Sequence, residues 1–526
     1  MEALVVIVAL MLLTVVVVGV GDRLGLPWPA LLTVVAAGAV FLPHMPFEID
    51  NELILPLFLP PLLWALARRT SWVMFRERWR TILGFSVLLT VITVAAVAWT
   101  SWLLVPGATL AAAIAIGAAV APPDPVAVDA VAEHAPIPRR LTSLLHTEGL
   151  FNDAVALVAF QLALAITLQG ETLEPISILQ TFSWTVVAAV GVGLAAAWAA
   201  ARVIRWLTSP VARSALTLVV PFAVYMLAEE VHGSGVIAVV VAAVSLSDRN
   251  DEIGAQDRLT SSAFWHVLEL LVTGLAFGLI GLEFRVVIDE AGSQIGEMVL
   301  HGLVVAAVAV AVRFAWVFFG QWVQRRRDVE APRTWQESFL ISWCGMRGLV
   351  TLALVLALPA AEFPVRAEAL VIAVVVLVVT MLVPGMLLPW LVGRLHLGSG
   401  ESAEDQQERE LVLRAQRAAF AVVRKAISEG APPEMLESLA QRFGDITGVH
   451  DDEALSGDHQ SRAEVLRQRL HQYAGLRDQA LAAATAEVLR ARNEPGVDPH
   501  VVDAVLADLD RMSVGHGGHR KALSKG

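Results

Sequence analysis

Cysteine is nearly absent from this 526-residue chain, where Cys344 stands alone. One thiol cannot build an intrachain disulfide framework or a cysteine-based metal cluster. Lysine is scarce as well: none occurs before Lys425, and the formal net charge is −12. Without a basic stripe there is no electrostatic footprint for nucleic acid, which is not expected as a partner. The apolar run from Ala3 to Val20 lacks a basic flank before it and a small-residue cleavage pattern after it. It is long enough to cross a bilayer, so it reads as a first transmembrane helix and not as a secretory signal.

Apolar residues, by contrast, make up 56% of the chain, and the mean hydropathy is +0.65. Soluble domains average about 45–50%. The expectation is therefore an all-α polytopic membrane protein, since a helix satisfies its own backbone in lipid. Segments able to cross, or nearly cross, the hydrocarbon fall at 3–21, 28–43, 53–67, 81–105, 109–130, 140–168, 176–206, 213–231, 234–247, 262–283, 297–323, 335–358 and 367–393. That predicts about 13 transmembrane helices.

Loop charge orders these spans. Connections after odd-numbered spans carry Arg23; Arg68, Arg69, Arg76, Arg78 and Arg80; Arg139 and Arg140; Arg202, Arg205 and Arg213. Later ones carry Arg249 and Arg258; Arg325, Arg326, Arg327 and Arg333; and Arg394. Those after even-numbered spans carry only Arg285 and Arg366. Because arginine collects in cytoplasmic loops, the N-terminus is expected outside and the C-terminus inside. Such a chain permits two inverted six-helix repeats, at about 1–168 and 213–393, joined by a linker helix at 176–206. Transporters of that design carry discontinuous helices at corresponding positions of their halves. Here Ala121-Pro-Pro-Asp-Pro125 interrupts span 5 and Gly345-Met-Arg-Gly348 interrupts span 12. Each is the fifth span of its half.

The composition changes at about Gly398, which divides a membrane domain at 1–396 from a cytoplasmic helical domain at 397–526. Amphipathic stretches fall near 402–429, 433–445, 461–493 and 498–512. This tail is either a helical appendage that aids stability or dimerisation, or a regulator of transport. Residues Ser513 to Gly526 are expected to be disordered.

The chemistry is expected where charge lies in apolar surroundings. Asp153 sits in the apolar segment 146–160, and a carboxylate near a bilayer centre costs roughly 3 kcal/mol on insertion scales. A group that trades a proton for a metal cation gives a reason to keep it. His146, Gly149 and Asp153 share one helix face, with Glu148 and Asn152 on the neighbouring stripe. Gly149 leaves room beside Asp153 for water or an ion, and Asn152 offers an amide. Pro122, Pro123 and Pro125 lack N–H groups and free upstream carbonyls. Asp124 among them is a direct or water-mediated ligand, a counter to the positive end of the second half-helix, or both.

Arg347, between two glycines, must be paired; Glu148 is the expected partner and Asp124 the second choice. Arg313 is another buried cation, with Glu269 and Glu337 as candidates. His146 and Asp129 are candidate proton-access groups, against the plainer reading of a helix-end histidine and a carboxylate that adds negative potential to a funnel.

Four segments carry a family resemblance: Glu148-Gly-Leu-Phe-Asn-Asp153, Pro122-Pro-Asp-Pro-Val-Ala-Val128, Gly345-Met-Arg-Gly-Leu-Val-Thr351 and Phe58-Leu-Pro-Pro-Leu-Leu63. Leu279-Ile-Gly-Leu-Glu283, Arg313 and Thr380-Met-Leu-Val-Pro-Gly385 add to it. Over residues 1–395 the chain resembles a bacterial sodium/proton antiporter of the monovalent cation/proton exchanger family. The resemblance implies a homodimer in the plasma membrane that exchanges one cation for one proton without net charge movement, with spans 5 and 12 crossing near the ion. It also implies that Asp153 is the shared carrier, Asn152 its neighbour, Asp124 part of the crossing, and Glu148–Arg347 a buried pair.

Three oxygen ligands frequent in the family are replaced here by Gly149, Pro123 and Ala65. The expected cation is Na⁺ or Li⁺, with no cofactor, no tightly bound metal and no enzyme activity. K⁺/H⁺ exchange on the same scaffold is the alternative, and a channel or transporter-derived sensor is the rival from another class. A membrane-embedded aspartyl hydrolase built on Asp124 and Asp153 would leave Asn152 and Arg347 without a role.

Overall fold

Runs of Leu, Val, Ala and Ile coil into helices, because backbone in lipid has no other partner than itself, and Pro56, Pro60, Pro61, Pro221 and Pro389 are carried within them. The computed structural model describes residues 2–24, 26–38, 51–68, 70, 72, 79, 83–124, 128, 137, 139–169, 175–247, 254–324, 334–359, 362–395, 403–429, 463–492, 494, 497 and 499–514. In the first half lie α1 (Glu2–Leu24), α2 (Trp28–Ala37), α3 (Asn51–Ala67), α4 (Leu83–Leu104), α5 (Leu110–Val120), α6 (Arg139–Gln169) and α7 (Pro175–Trp206). Then come α8 (Pro210–Glu230), α9 (Gly235–Ser247), α10 (Ala255–Ala291), α11 (Ile295–Gln324), α12 (Trp335–Trp343), α13 (Leu349–Leu356) and α14 (Arg366–Leu395). The tail forms α15 (Ala403–Ser428), α16 (Ala463–Arg492) and α17 (Pro499–Val514). Among the described residues there is no strand.

Local chemistry sets the helix ends. Thr109 caps α5 by accepting the Ala112 N–H at 3.1 Å, and Thr334 caps α12 through the Glu337 N–H at 3.2 Å. Buried threonines return their hydroxyls to the preceding turn, as Thr14 does to Leu10 O at 2.7 Å and Thr93 to Leu89 O at 2.8 Å. Polar side chains are thereby carried through an apolar medium at little cost.

Two kinds of helix result. Seven described helices are long and apolar enough to cross a membrane: α1, α4, α7, α8, α10, α11 and α14. On α1 and α7 the residues Leu4, Leu12, Val15, Trp184, Val187 and Trp198 are exposed, as a face meant for lipid would be. Of the shorter apolar helices, α9 and most of α5 are packed inside, while α2 exposes Val34 and Val35 and α3 exposes Leu57. In α9 every residue but Ile237 is buried. Small residues allow this closeness: a Cβ at Gly117 of α5 would lie 2.6 Å from Val94 O of α4. In the tail, Leu411, Ala415 and Val423 of α15 pack with Ala484 and Val488 of α16 and Leu509 of α17.

The structure departs from expectation at several boundaries. Of span 2, α2 covers Trp28–Ala37, and the expected part beyond Gly38 falls in residues 39–50, outside those described. The span expected at 262–283 begins at Ala255 and runs to Ala291, because the polar ends continue the helix past the apolar stretch. Span 12, by contrast, is two helices, α12 and α13, parted at the interruption expected at Gly345–Gly348. Ser513 is helical, since α17 extends to Val514. Residues 433–445 and 515–526 lie outside the described residues.

Candidate functional site

The two breaks read from the sequence meet. Helix α5 stops at Val120, ahead of the prolines, and α12 stops at Trp343, ahead of Gly345. Asp124 N–H donates to Met346 O at 2.6 Å, while Leu349 N–H donates to the Asp124 carboxylate at 3.1 Å. Asp124 thus caps α13, the second half-helix of the other broken span, and offsets its positive end. The sequence pointed to a dipole of its own span; the partner is 225 residues away. Gly348 makes this approach geometrically possible, since a Cβ there would overlap the Asp124 carboxylate.

Freed carbonyls on both segments are answered by side chains. Arg347 donates from Nε to Val120 O at 3.1 Å, from Nη2 to Ala121 O at 3.3 Å and from Nη1 to Gly345 O at 2.6 Å. Its own N–H donates to Thr380 Oγ1 at 3.3 Å. Asn152 donates to Pro123 O at 2.7 Å and accepts the Asp153 N–H at 2.6 Å.

The expected Glu148–Arg347 pair is not what forms. Glu148 pairs with Arg313 in a two-pronged contact, Nη1–Oε1 at 2.5 Å and Nη2–Oε2 at 2.9 Å, with both side chains buried. Arg313 also donates to Ile341 O at 3.1 Å, the exposed C-terminal carbonyl end of α12. This corrects the expectation of Glu269 or Glu337 for Arg313 as well. Arg347 turns its Nε and both terminal nitrogens to carbonyls, while Arg313 presents the fork that meets both Glu148 oxygens. Gly345 provides space for it, because a Cβ there would strike the Arg313 Nε.

Asp153 lies one residue past Asn152 on α6 and is 6% exposed. Among the described residues no side chain bonds its carboxylate. Both buried guanidiniums nearby in the fold are engaged elsewhere. Glu148, Gly149 and Asn152 are buried with it, and Ala65 is buried on α3. His146 is on α6, but its side chain lies outside the described residues, as does Asp129 altogether. Two groups were named in the sequence reading only as members of longer segments and given no role in the site: Thr380, which sits in a π-helical turn, Val378–Leu382, and Thr351, whose buried Oγ1 has no hydrogen-bond partner among the described residues. The signal for both was present as hydroxyls inside otherwise apolar helices.

Two interrupted helices packed against buried carboxylates in a membrane bundle define a secondary transporter. A sequence model of the transmembrane domain of sodium/hydrogen exchangers matches residues 7–394, and the chain belongs to that family. It is 29% identical over 529 residues to an uncharacterised Na⁺/H⁺ exchanger of Mycobacterium tuberculosis, covering 97% of this chain and 96% of the relative. It is 28% identical over 413 residues to a sodium, potassium, lithium and rubidium/H⁺ antiporter of Bacillus subtilis, covering 73% and 61% of the two chains. The fold is similar to that of the sodium proton antiporter MjNhaP1 of Methanocaldococcus jannaschii, with a TM-score of 0.59 at 19% identity, over 76% of this chain and 100% of that one. The family is one of antiporters, so the chain is a multi-pass membrane antiporter at that level of description.

Proposed function

We propose that the chain exchanges Na⁺ for H⁺, one for one and without net charge movement, with both ions competing for the Asp153 carboxylate. The observation that carries this is the isolation of that carboxylate: it is buried, yet Arg347 and Arg313 are committed to carbonyls and to Glu148. An ionised group left in that state costs several kcal/mol. A proton neutralises it, and so does an alkali cation. Loading one therefore expels the other, and only the neutralised site moves cheaply through the membrane.

In this reading Asn152 fixes the neighbourhood of Asp153, Pro123 and Gly149 shape the crossing, and Asp124 holds the second break against the first. His146 and Asp129 remain the proton-access candidates. The frame is the one the sequence led to: about 13 spans in inverted repeats, N-terminus outside, domains at 1–396 and 397–526, and a homodimer in the bacterial plasma membrane that serves sodium and pH homeostasis.

The name of the Bacillus relative favours a second reading, in which K⁺ and Li⁺ are carried by the same site. Missing oxygens at Gly149, Pro123 and Ala65 fit a loosely selective cavity completed by water and carbonyls. Proteoliposomes loaded with a pH gradient separate the readings. Added Na⁺ should dissipate the gradient, Asp153→Asn should abolish the response, and a panel of Li⁺, K⁺ and Rb⁺ ranks the cations. Cation-dependent exchange that persists in Asp153→Asn would overturn the assignment.

A further inference from the structure

The tail meets the membrane domain around a cavity of about 370 Å³ with a mixed polar and apolar lining, where the ends of α3, α8, α9 and α10 face α16 and α17. Four guanidiniums line it, from Arg68, Arg213, Arg258 and Arg492, against three carboxylates, from Asp257, Asp503 and Asp510. Positive groups outnumber negative ones. Arg213 pairs with Asp257, and Arg258 makes a two-pronged pair with Asp510 at 2.5 and 2.8 Å. The Arg68 guanidinium lies 5.4 Å over the Trp265 ring.

Arg492, from the tail, is held less fully. It faces Asp503 at 3.7 Å and donates to Ser247 Oγ at 3.1 Å. Its Nε is buried with no hydrogen-bond partner among the described residues. Hydroxyls of Ser214, Ser261 and Ser262 complete the wall.

The volume lies within the range of small-ligand sites, about 300–1,000 Å³. Guanidinium forks backed by hydroxyls suit a tetrahedral oxyanion, since two parallel N–H donors match two phosphate oxygens. We propose that this cavity is a binding site for a phosphate-bearing anion, which bridges Arg492 of the tail to the arginines of the membrane helices. By the loop-arginine orientation the site is at the cytoplasmic end. Lipid phosphates and soluble phosphate esters both reach that level, and the shared chemistry is the phosphate group. The site is independent of Asp153.

Thermal unfolding of the purified full-length protein tests this. Soluble probes are inorganic phosphate and ATP, with sodium chloride at equal ionic strength as the control. The lipid arm uses phosphatidylcholine nanodiscs with and without phosphatidic acid. One arm should give a saturable rise in midpoint of roughly 2–4 °C beyond its control, and which arm responds identifies the source. Arg492→Ala should lose that rise, and Arg492→Lys should keep part of it. The paired change Ser261→Val with Ser262→Val leaves every ion pair in place, so it covers the case in which Arg492→Ala fails to fold, and it should weaken binding at least several-fold. Asp153→Asn should leave the rise intact. No rise in either arm, or a full rise in both Arg492→Ala and the paired serine variant, would overturn the proposal.

Discussion

Charge is used in opposite ways in the membrane interior and in the tail. Inside, Arg347 spends its donors on Val120 O, Ala121 O and Gly345 O, and Arg313 spends its own on Glu148 and Ile341 O. Each is fixed by a break in a helix or by one buried carboxylate. In the tail, Arg414 bridges Glu487 at 3.0 Å and Glu494 at 2.6 Å, but the arginine is 25% exposed and Glu494 43%. Water competes for every member of that network. Interior charges therefore define geometry and are costly to orphan singly, whereas tail charges add small and replaceable stability.

The largest way to break this contrast is to orphan one interior charge. Glu148→Ala leaves the Arg313 guanidinium buried without its carboxylate and should cost about 3–5 kcal/mol, seen as a large fall in thermal midpoint in detergent. The double replacement Glu148→Gln with Arg313→Gln should recover much of that loss. If the two single changes proved additive, the pair would have no special standing over a tail salt bridge.

Next is Gly348→Ala. The added methyl takes the space of the Asp124 carboxylate, so the two breaks part and exchange should fall roughly ten- to hundredfold while the protein stays folded. Arg347→Lys tests the fork itself. A single ammonium cannot span three carbonyls, and the change should cost about 1–3 kcal/mol, again read as a midpoint shift.

The smallest effect belongs to the tail. Arg414→Ala should cost less than about 1 kcal/mol. Hydrogen bonding to Arg414 holds the Glu494 carboxyl below its ordinary range, so the stabilisation is complete above the pKa of an unfolded glutamate. It is lost as pH falls through the lowered folded value. The difference between wild type and Arg414→Ala should accordingly vanish in acid and persist at neutral pH.

Much of this was legible in the chain because the signals are local. Pro122, Pro123 and Pro125 flank the charged Asp124 and cannot donate, which marks a stop that the uncharged Pro60–Pro61 pair inside α3 does not make, and Gly345 and Gly348 mark the other stop. Asp153 and Asn152 stand out against apolar neighbours. What could not be read is register between distant helices. Helical periodicity places Glu148 and Arg347 on faces but says nothing of which guanidinium, Arg313 or Arg347, reaches the carboxylate across 165 residues. The same limit hid the capping of α13 by Asp124. Nor does the sequence mark the π-helical turns at Leu83–Leu88 and Val378–Leu382.

The central claim is that one carboxylate trades a proton for a cation. At a pH below the pKa of the site, Na⁺ titrated into weakly buffered, purified protein should release about one proton for each ion bound, and its apparent affinity should weaken about tenfold for each further unit that the pH falls. Asp153→Asn should release none. Na⁺ binding without proton release, or an unchanged release from Asp153→Asn, would contradict the account.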